Sequence, residues 1–133
     1  EIKLNEYLKI ESCAELFDAK NDLVHTTSVL KYPVFIKEKN YTGSSPNMLK
    51  NEHFKNMINT ILVPELNQLD RPIIIPAGKA VSEALRYIVK EKKIDDELIL
   101  YDFPHPSGAN GHRMKQFEKN KSQFIEQLSK HTV

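Results

Sequence analysis

Apolar positions spaced i, i+3, i+4 and i+7 recur in three stretches of the chain, and this spacing predicts amphipathic helices. The first helix is predicted over 47–62, is interrupted by Pro64, and has the apolar positions Phe54, Met57, Ile58, Ile61 and Leu62. The second follows Gly78, with Val81, Ala84, Leu85, Ile88 and Val89. The third is the last element, with Met114, Phe117, Phe124, Ile125 and Leu128. A looser pattern over 2–17 indicates one helix or two short ones.

Three other stretches lack helical spacing and predict β-strands. Residues 23–30 are rich in β-branched side chains, which favour strands. Residues 71–78 contain three consecutive Ile without polar alternation, as in a strand covered on both faces. Residues 97–103 supply the third apolar run, and the polar segment IKEKNYTGSSPN is predicted to be a loop.

Strands therefore alternate with helices along the chain, which is typical of an α/β domain. We expect a three-layer αβα arrangement around a parallel central sheet, formed by a single domain over residues 1–133. Ligands of such sheets bind outside the carboxyl ends of the strands. The segments SVLKYP, PAGKA and HPSGANGHR should consequently lie side by side.

Composition narrows the possible functions. The single cysteine, Cys13, excludes an internal disulfide and a cysteine cluster for zinc, and a reducing cytoplasm is the simplest setting. Without an apolar run of about 18 residues or a signal-peptide pattern, we expect no membrane association. No HExxH spacing and no G-x-S-x-G elbow occur, so neither a metal site nor an α/β-hydrolase is predicted. We expect no cofactor.

Charge is spread unevenly although its sum is only +1. Residues 28–60 contain five bases and two acids, and residues 105–131 contain five bases, two acids and three His. These two basic blocks coincide with the two loop-bearing segments. Their position is compatible with an anionic partner, and equally with an ordinary solvated surface.

The segment HPSGANGHR, residues 105–113, carries the densest group of candidate site residues. Its glycines allow a close approach of backbone N–H groups to a ligand, and a helix N-terminus follows, which suits phosphate. Ser107 and Asn110 can donate to phosphate oxygens, and Arg113 can bind them with two N–H groups. His105 can donate to an oxygen that gains negative charge. An ordinary strand-to-helix turn is the alternative.

Two further segments contribute candidates at the other strand ends. PAGKA places Gly78 and Lys79 after a strand, but it is not a P-loop, because the first Gly and the final hydroxyl residue are missing. Gly78 is therefore interpreted first as a close-packing residue, with a phosphate contact as the second interpretation. In TTSVLK the hydroxyl of Thr27 or Ser28 is a candidate to face the cleft. The alternative is that these hydroxyls pair with the backbone of the strand.

Taken together, these segments resemble the uracil-DNA glycosylase superfamily. Its final strand ends in a His-Pro-Ser motif, matched here by His105, Pro106 and Ser107, and TTSVLK and RPIIIPAGKAVSEAL resemble two earlier segments. The resemblance covers about residues 22 to 130 and implies the C-terminal portion of that fold. It implies that His105 hydrogen-bonds a pyrimidine oxygen and stabilises the departing base, and that the base is flipped out of the stack.

Three positions depart from the family pattern. The loop that supplies a water-positioning residue is not found, Ser28 (or Thr27) stands where an Asn reads the base, and Ala109 stands where a Leu fills the gap of the flipped base. The resulting hypothesis is a DNA-binding protein of base-excision repair that hydrolyses an N-glycosidic bond. The alternative is a non-catalytic relative that binds nucleic acid, a nucleotide or a protein partner. An exposed sheet edge would also favour self-association or a protein partner.

Overall fold

Helices and helical turns make up about half of the computed structural model, which describes residues 2–131. Helix α4 covers Lys79–Lys90 and α5 covers Arg113–Lys130, so both predicted helices are confirmed. Their buried positions keep the predicted spacing and are Ala84, Leu85 and Ile88 in α4 and Phe124 and Leu128 in α5. Met114 was predicted on the same apolar face but is 64% exposed, because it lies in the first turn of α5, before the helix reaches the core.

The N-terminal segment forms short pieces, as one of the two sequence interpretations predicts. Helix α1 covers Leu4–Leu8, and 3₁₀ turns follow at Cys13–Phe17 and Asn21–Leu23. The first 3₁₀ turn begins at a capping box, because the Ser12 N–H donates to Glu15 Oε1 (2.8 Å) and the Ala14 N–H donates to Ser12 Oγ (3.2 Å).

The middle helix is longer than the sequence predicts. A 3₁₀ turn at Met48–Lys50 leads into α2 at Glu52–Met57, a π turn at Ile58–Leu62 and α3 at Val63–Leu66. The predicted end before Pro64 is therefore wrong. Pro64 lies at the first positions of α3, after the wider π turn has changed the hydrogen-bonding register, so its missing N–H is tolerated.

The expected three-layer αβα fold with a parallel central sheet is wrong. The regular sheet among the described residues is a two-stranded antiparallel hairpin of β1 (Phe35–Ile36) and β2 (Lys39–Asn40), which, apart from Phe35, lies within the segment predicted to be a loop. Its two-residue turn has positive φ at Lys37 and Glu38, the backbone that closes a tight hairpin. With no parallel sheet over 2–131, the exposed sheet edge expected to bind partners is reduced to this hairpin, where Phe35 is 60% exposed.

The three predicted strands are extended or irregular segments, and the third begins within a 3₁₀ turn at Asp96–Leu98. Residues 71–78 and 97–103 do run parallel, but they share one bridge, Ile74 with Ile99, and two backbone hydrogen bonds, from the Leu100 N–H to Ile74 O (2.9 Å) and from the Gly78 N–H to Phe103 O (3.0 Å). Pro72 and Pro76 have no N–H to donate, which limits the ladder. Residues 23–30 lie mostly at the surface, and only Val29 in this segment is buried.

Two apolar clusters hold these elements together. The larger one joins the middle helix to α4 and to Ile99, and its fully buried members are Ile58, Ala84, Ile88 and Ile99. The smaller one packs α5 on the N-terminal segment and contains Ile2, Leu100, Phe124 and Leu128. Ile99 and Leu100 therefore connect both clusters, and the chain that follows them is anchored at the start of residues 104–113. No helix within residues 2–131 is both long and apolar enough to cross a membrane.

Candidate functional site

The turn before α4 packs directly against His105. Gly78 has φ +107°, and a Cβ placed on it would lie 3.2 Å from both Cβ and Cδ2 of His105. The Gly78 N–H donates to Phe103 O at 3.0 Å and to Pro76 O at 3.1 Å. Both the backbone conformation and the close approach require glycine here. The first interpretation of Gly78, as a close-packing residue, thus fits the structure.

The N-terminus of α4 opens next to this contact. No side chain caps the helix in the part of the chain that the structure describes, and the first ladder bond comes from the Ser82 N–H to Gly78 O (3.1 Å). The amide groups of residues 79–81 therefore provide a partial positive charge at the surface. Lys79 points away from the core, with a side chain 90% exposed and its Nζ 3.9 Å from Glu83 Oε1.

The imidazole of His105 has one nitrogen engaged and one free to donate. The Ser107 N–H donates to His105 Nδ1 at 3.1 Å. An accepting Nδ1 in a neutral ring assigns the proton to Nε2. Because His105 is exposed, this Nε2–H is available to an acceptor outside the protein. With a neutral ring, His105 would therefore present its Nε2–H to an external acceptor such as a base oxygen.

The other candidates in residues 105–113 hold the loop in shape. Ser107 Oγ accepts from the Ala109 N–H (3.2 Å), and Asn110 Nδ2 donates to His105 O (3.2 Å) and to Gln116 Oε1 (3.0 Å). Arg113 Nη1 donates to Ser107 O (3.3 Å). Each of these groups is exposed enough to keep further hydrogen-bonding capacity, but a phosphate would share it with the loop.

The two hydroxyl candidates in the first segment have different surroundings. The Lys31 ammonium donates to Thr27 Oγ1, so that hydroxyl is engaged within the protein. Ser28 instead lines an open hollow of about 360 Å³ together with Tyr32, Tyr41 and Met48. Of the two, Ser28 is the one placed to meet a ligand.

This hollow reaches the first turn of α4 from the other side. Gly43 lines it, and a Cβ on Gly43 would lie 3.7 Å from Cβ of Ala80 and 3.1 Å from Cε of Met48. Ala80 follows Gly78 by two residues, so the hollow and the His105 contact flank one helix N-terminus. The Gly43 side of the hollow and His105 therefore each approach the first turn of α4.

Tyr41 is held within the protein. Its ring stacks on Phe54 with the centroids 5.6 Å apart, its hydroxyl donates to Pro46 O, and burial raises the pKa of that hydroxyl. Stacking of Tyr41 on a nucleic-acid base would require the ring to leave Phe54.

A carboxylate that the sequence did not single out anchors the Ser28 segment. Glu65 pairs with Lys31 through Oε2 and with His25 Nε2 through Oε1 (2.7 Å). Hydrogen bonds from Lys31 and then His25 lower the pKa of Glu65 to about 2. The partners lie 34 and 40 residues apart in the chain, so no local pattern could have found them.

A second unforeseen cluster fixes the start of residues 102–113. The Arg86 guanidinium donates to both carboxylate oxygens of Asp102 (3.1 and 3.2 Å) and lies 4.3 Å from the ring centre of Tyr101. Asp102 has φ +63°, and its carbonyl accepts from Asn120 Nδ2 (3.3 Å). These contacts from α4 and α5 set the direction in which the chain leaves the core toward His105.

The ionisable side chains of residues 104–113 are imidazoles and a guanidinium, while the neighbouring Lys79 has the Glu83 carboxylate 3.9 Å from its Nζ. Within residues 2–131, no three His, Cys, Asp or Glu side chains are grouped to hold a metal ion. The sequence 104–113 contains no carboxylate, whereas it contains His105, His112 and Arg113. Such a surface can bind an anion or an oxygen-rich heterocycle.

One comparison with known proteins gives a close relative. The chain is 42% identical over 120 residues to a Bacillus subtilis (strain 168) protein described as "uncharacterized protein YoxB". The aligned region is 90% of this chain and 47% of that protein, so the chain spans about half the length of the curated relative it matches. No protein-family model matches the chain. No solved structure matches it.

Proposed function

We propose that this protein binds DNA at the surface where His105 packs on Gly78, with the bound base beside the imidazole. The observation that supports this is the combination at one place of a free Nε2–H donor and an uncapped helix N-terminus. The donor suits a base oxygen, and the helix N-terminus suits a backbone phosphate. The setting we propose is the cytoplasm, where Cys13 stays reduced.

The contacts divide into two kinds. His105 donates to the base, and Ser28, which lines the hollow on the Gly43 side, is the second candidate for a base contact. The N–H groups of residues 79–81, Lys79 and Arg113 attract the phosphates, supported by the basic balance of 105–131. Base contacts specify and phosphate contacts position.

Hydrolysis of the N-glycosidic bond, as in base-excision repair, is the second candidate function, and the tautomer of His105 favours it. In that reaction water attacks C1′ of the sugar, the C1′–N bond breaks, and the bond electrons leave with the base as an anion, which then takes up the proton that the attacking water releases. A neutral Nε2–H donor next to the base oxygen stabilises that anion. Ser28 in place of an amide and Ala109 in place of a Leu weaken base reading and wedging, so the expected activity is low.

A non-catalytic role is the remaining candidate within the same proposal. The bonds of Ser107, Asn110 and Arg113 within the loop give a preformed surface that needs no rearrangement to bind. Such a surface serves a nucleotide or a protein partner as readily as it serves a longer DNA strand.

The test combines binding and base release on the same oligonucleotides. Fluorescence anisotropy with labelled single- and double-stranded DNA, with and without uracil, measures binding, and chromatography measures released uracil. We expect His105→Ala to weaken binding about tenfold, because one hydrogen bond to a polar partner is lost. The control is His53→Ala, which removes an exposed imidazole from α2.

The outcomes separate the candidates. Uracil release that His105→Ala abolishes and His53→Ala leaves unchanged supports the glycosylase. DNA binding without release supports the non-catalytic protein. If the unsubstituted chain binds neither form of DNA at low salt, the proposal is wrong.

A further inference from the structure

Helix α5 has a basic stripe on the outer face of its first two turns, formed by His112, Lys115 and Lys119. These residues are three and seven positions apart, so they share one side of the helix. All three are exposed. At 1.5 Å per residue, the basic stripe extends about 10 Å along the helix axis.

The basic stripe lacks the acidic partners found elsewhere on α5. Among the ion pairs of residues 2–131, none includes Lys115 or Lys119. Lys130 is different, because it lies on nearly the same side of the helix and pairs with Glu126 at 2.8 Å. The positive charge at the start of α5 is therefore uncompensated, while the charge at its end is neutralised.

Gln116 connects the basic stripe to the candidate site. It lies between His112 and Lys119 on the helix surface, and its Oε1 accepts from Asn110 Nδ2 at 3.0 Å. The same Asn110 nitrogen donates to the carbonyl of His105 at 3.2 Å. A continuous polar surface therefore leads from His105 through Asn110 and Gln116 to the basic stripe.

We propose that a nucleic-acid backbone runs from His105 along the basic stripe, with Lys115 and Lys119 each neutralising a phosphate. The inference rests on the proposed function and deepens it, since it gives the direction in which the strand leaves the site. One strand of a duplex carries a phosphate about every 3.4 Å of axis, so the basic stripe matches about three phosphates. Charge complementarity selects this partner over an apolar one.

The measurement is the salt dependence of DNA affinity. A labelled double-stranded oligonucleotide is titrated with the full chain at several salt concentrations, and log K is plotted against log salt. The double variant Lys115→Gln with Lys119→Gln should lower the magnitude of the slope by about 1.8, because each lost phosphate contact on a duplex is worth about 0.9. Its affinity at low salt should fall about tenfold.

The matched control is Lys130→Gln on the same helix. Like the double variant, it replaces Lys by Gln on nearly the same side of α5, but Lys130 is paired with Glu126. Its slope should equal that of the unsubstituted chain. Circular dichroism verifies that all variants fold, and Gln is a good helix former at such exposed positions.

The possible outcomes distinguish the two proposals. A slope lowered by the double variant alone supports the basic stripe. DNA binding with the same slope in the double variant overturns the basic stripe and leaves the His105 site standing. No DNA binding by the unsubstituted chain overturns both. Displacement of the DNA by poly-glutamate at equal charge concentration overturns the nucleic-acid assignment in favour of an acidic polypeptide.

Discussion

The candidate site residues lie on two segments of the chain, and these segments are held in different ways. The loop 105–113 is stabilised by short-range hydrogen bonds, such as those from Ser107 N–H to His105 Nδ1 and from Asn110 Nδ2 to His105 O. The segment 25–31 has few such bonds and is held by ion pairs from Glu65. The loop 105–113 is thus held by hydrogen bonds between its own residues, whereas the segment 25–31 is held by a residue outside it, Glu65.

The difference determines what each half responds to. Uncharged hydrogen bonds between near neighbours change little with salt, although acid would remove the bond that His105 Nδ1 accepts, because a protonated ring nitrogen cannot accept. Ion pairs between exposed or half-exposed groups weaken when a carboxylate is protonated or salt is added. Mutations and salt should therefore separate the two halves, and Gly78, which contacts the loop through His105, should affect one of them.

Gly78→Ala is expected to have the largest effect. The new Cβ would meet His105 at 3.2 Å on a backbone with φ +107°, so we expect a loss of about 2–3 kcal/mol in the free energy of unfolding. Urea denaturation measures it. Gly108→Ala is the control, because a Cβ there meets no atom within 4 Å and its φ is not positive. Equal stabilities of the two variants would contradict a tight contact at Gly78.

Glu65→Gln is expected to cost about 1–2 kcal/mol, because it removes a charged acceptor from Lys31 and His25. Hydrogen exchange followed by mass spectrometry should show faster exchange in 25–31 and unchanged exchange in 105–113. Faster exchange in both segments would show that the two halves are one cooperative unit.

Acid should abolish the advantage of the native residue over Glu65→Gln. The pKa of Glu65 is lowered from its ordinary 4.5 to about 2, so its stabilisation is fully present above about pH 4.5 and is lost as the pH falls through 2. The difference in urea midpoint between the two proteins should shrink over this range. A constant difference would mean that the ion pairs do not stabilise the fold.

Asn110→Ala should have a smaller effect, about 1 kcal/mol, because it removes hydrogen bonds at the surface. In this variant hydrogen exchange should become faster in 105–113 and should stay unchanged in 25–31, the opposite of what is expected for Glu65→Gln. Ser107→Ala should follow with about 0.5 kcal/mol, since it removes only the bond from the Ala109 N–H. Faster exchange in 25–31 for either variant would contradict the separation.

The helices could be predicted because their information is local. The spacing of Ala84, Leu85 and Ile88, or of Phe124 and Leu128, is a property of neighbouring turns and needs no partner. The sheet could not be predicted in the same way, because strands are defined by their pairing. The Ile73–Ile75 run has the composition of a buried strand, yet flanking prolines leave one bridge, while the polar sequence 35–40 pairs with itself.

The residues of the candidate site likewise fall into those with a local sequence pattern, which could be predicted, and those that depend on a distant partner, which could not. The loop residues His105, Ser107, Asn110 and Arg113 were visible as an unusual cluster, and the structure brings His105 to Gly78 as an adjacent contact. Glu65, His25, Arg86 and Asp102 were invisible, because each matters only through a partner at least 16 residues away. The sequence also could not show that Thr27 is engaged by Lys31 while Ser28 is free to line the hollow.

The π turn at Ile58–Leu62 makes this protein sensitive to length at an unexpected place. A π turn accommodates one residue more than an α turn, so it offsets the faces before and after it by about 100°. Deleting one residue within the turn would remove this offset and swing Glu65 away from His25 and Lys31. Insertions and deletions are usually tolerated in loops. Here a single missing residue inside a helix would release the surface segment 25–31. That segment precedes the loop 105–113 by about half the length of the chain.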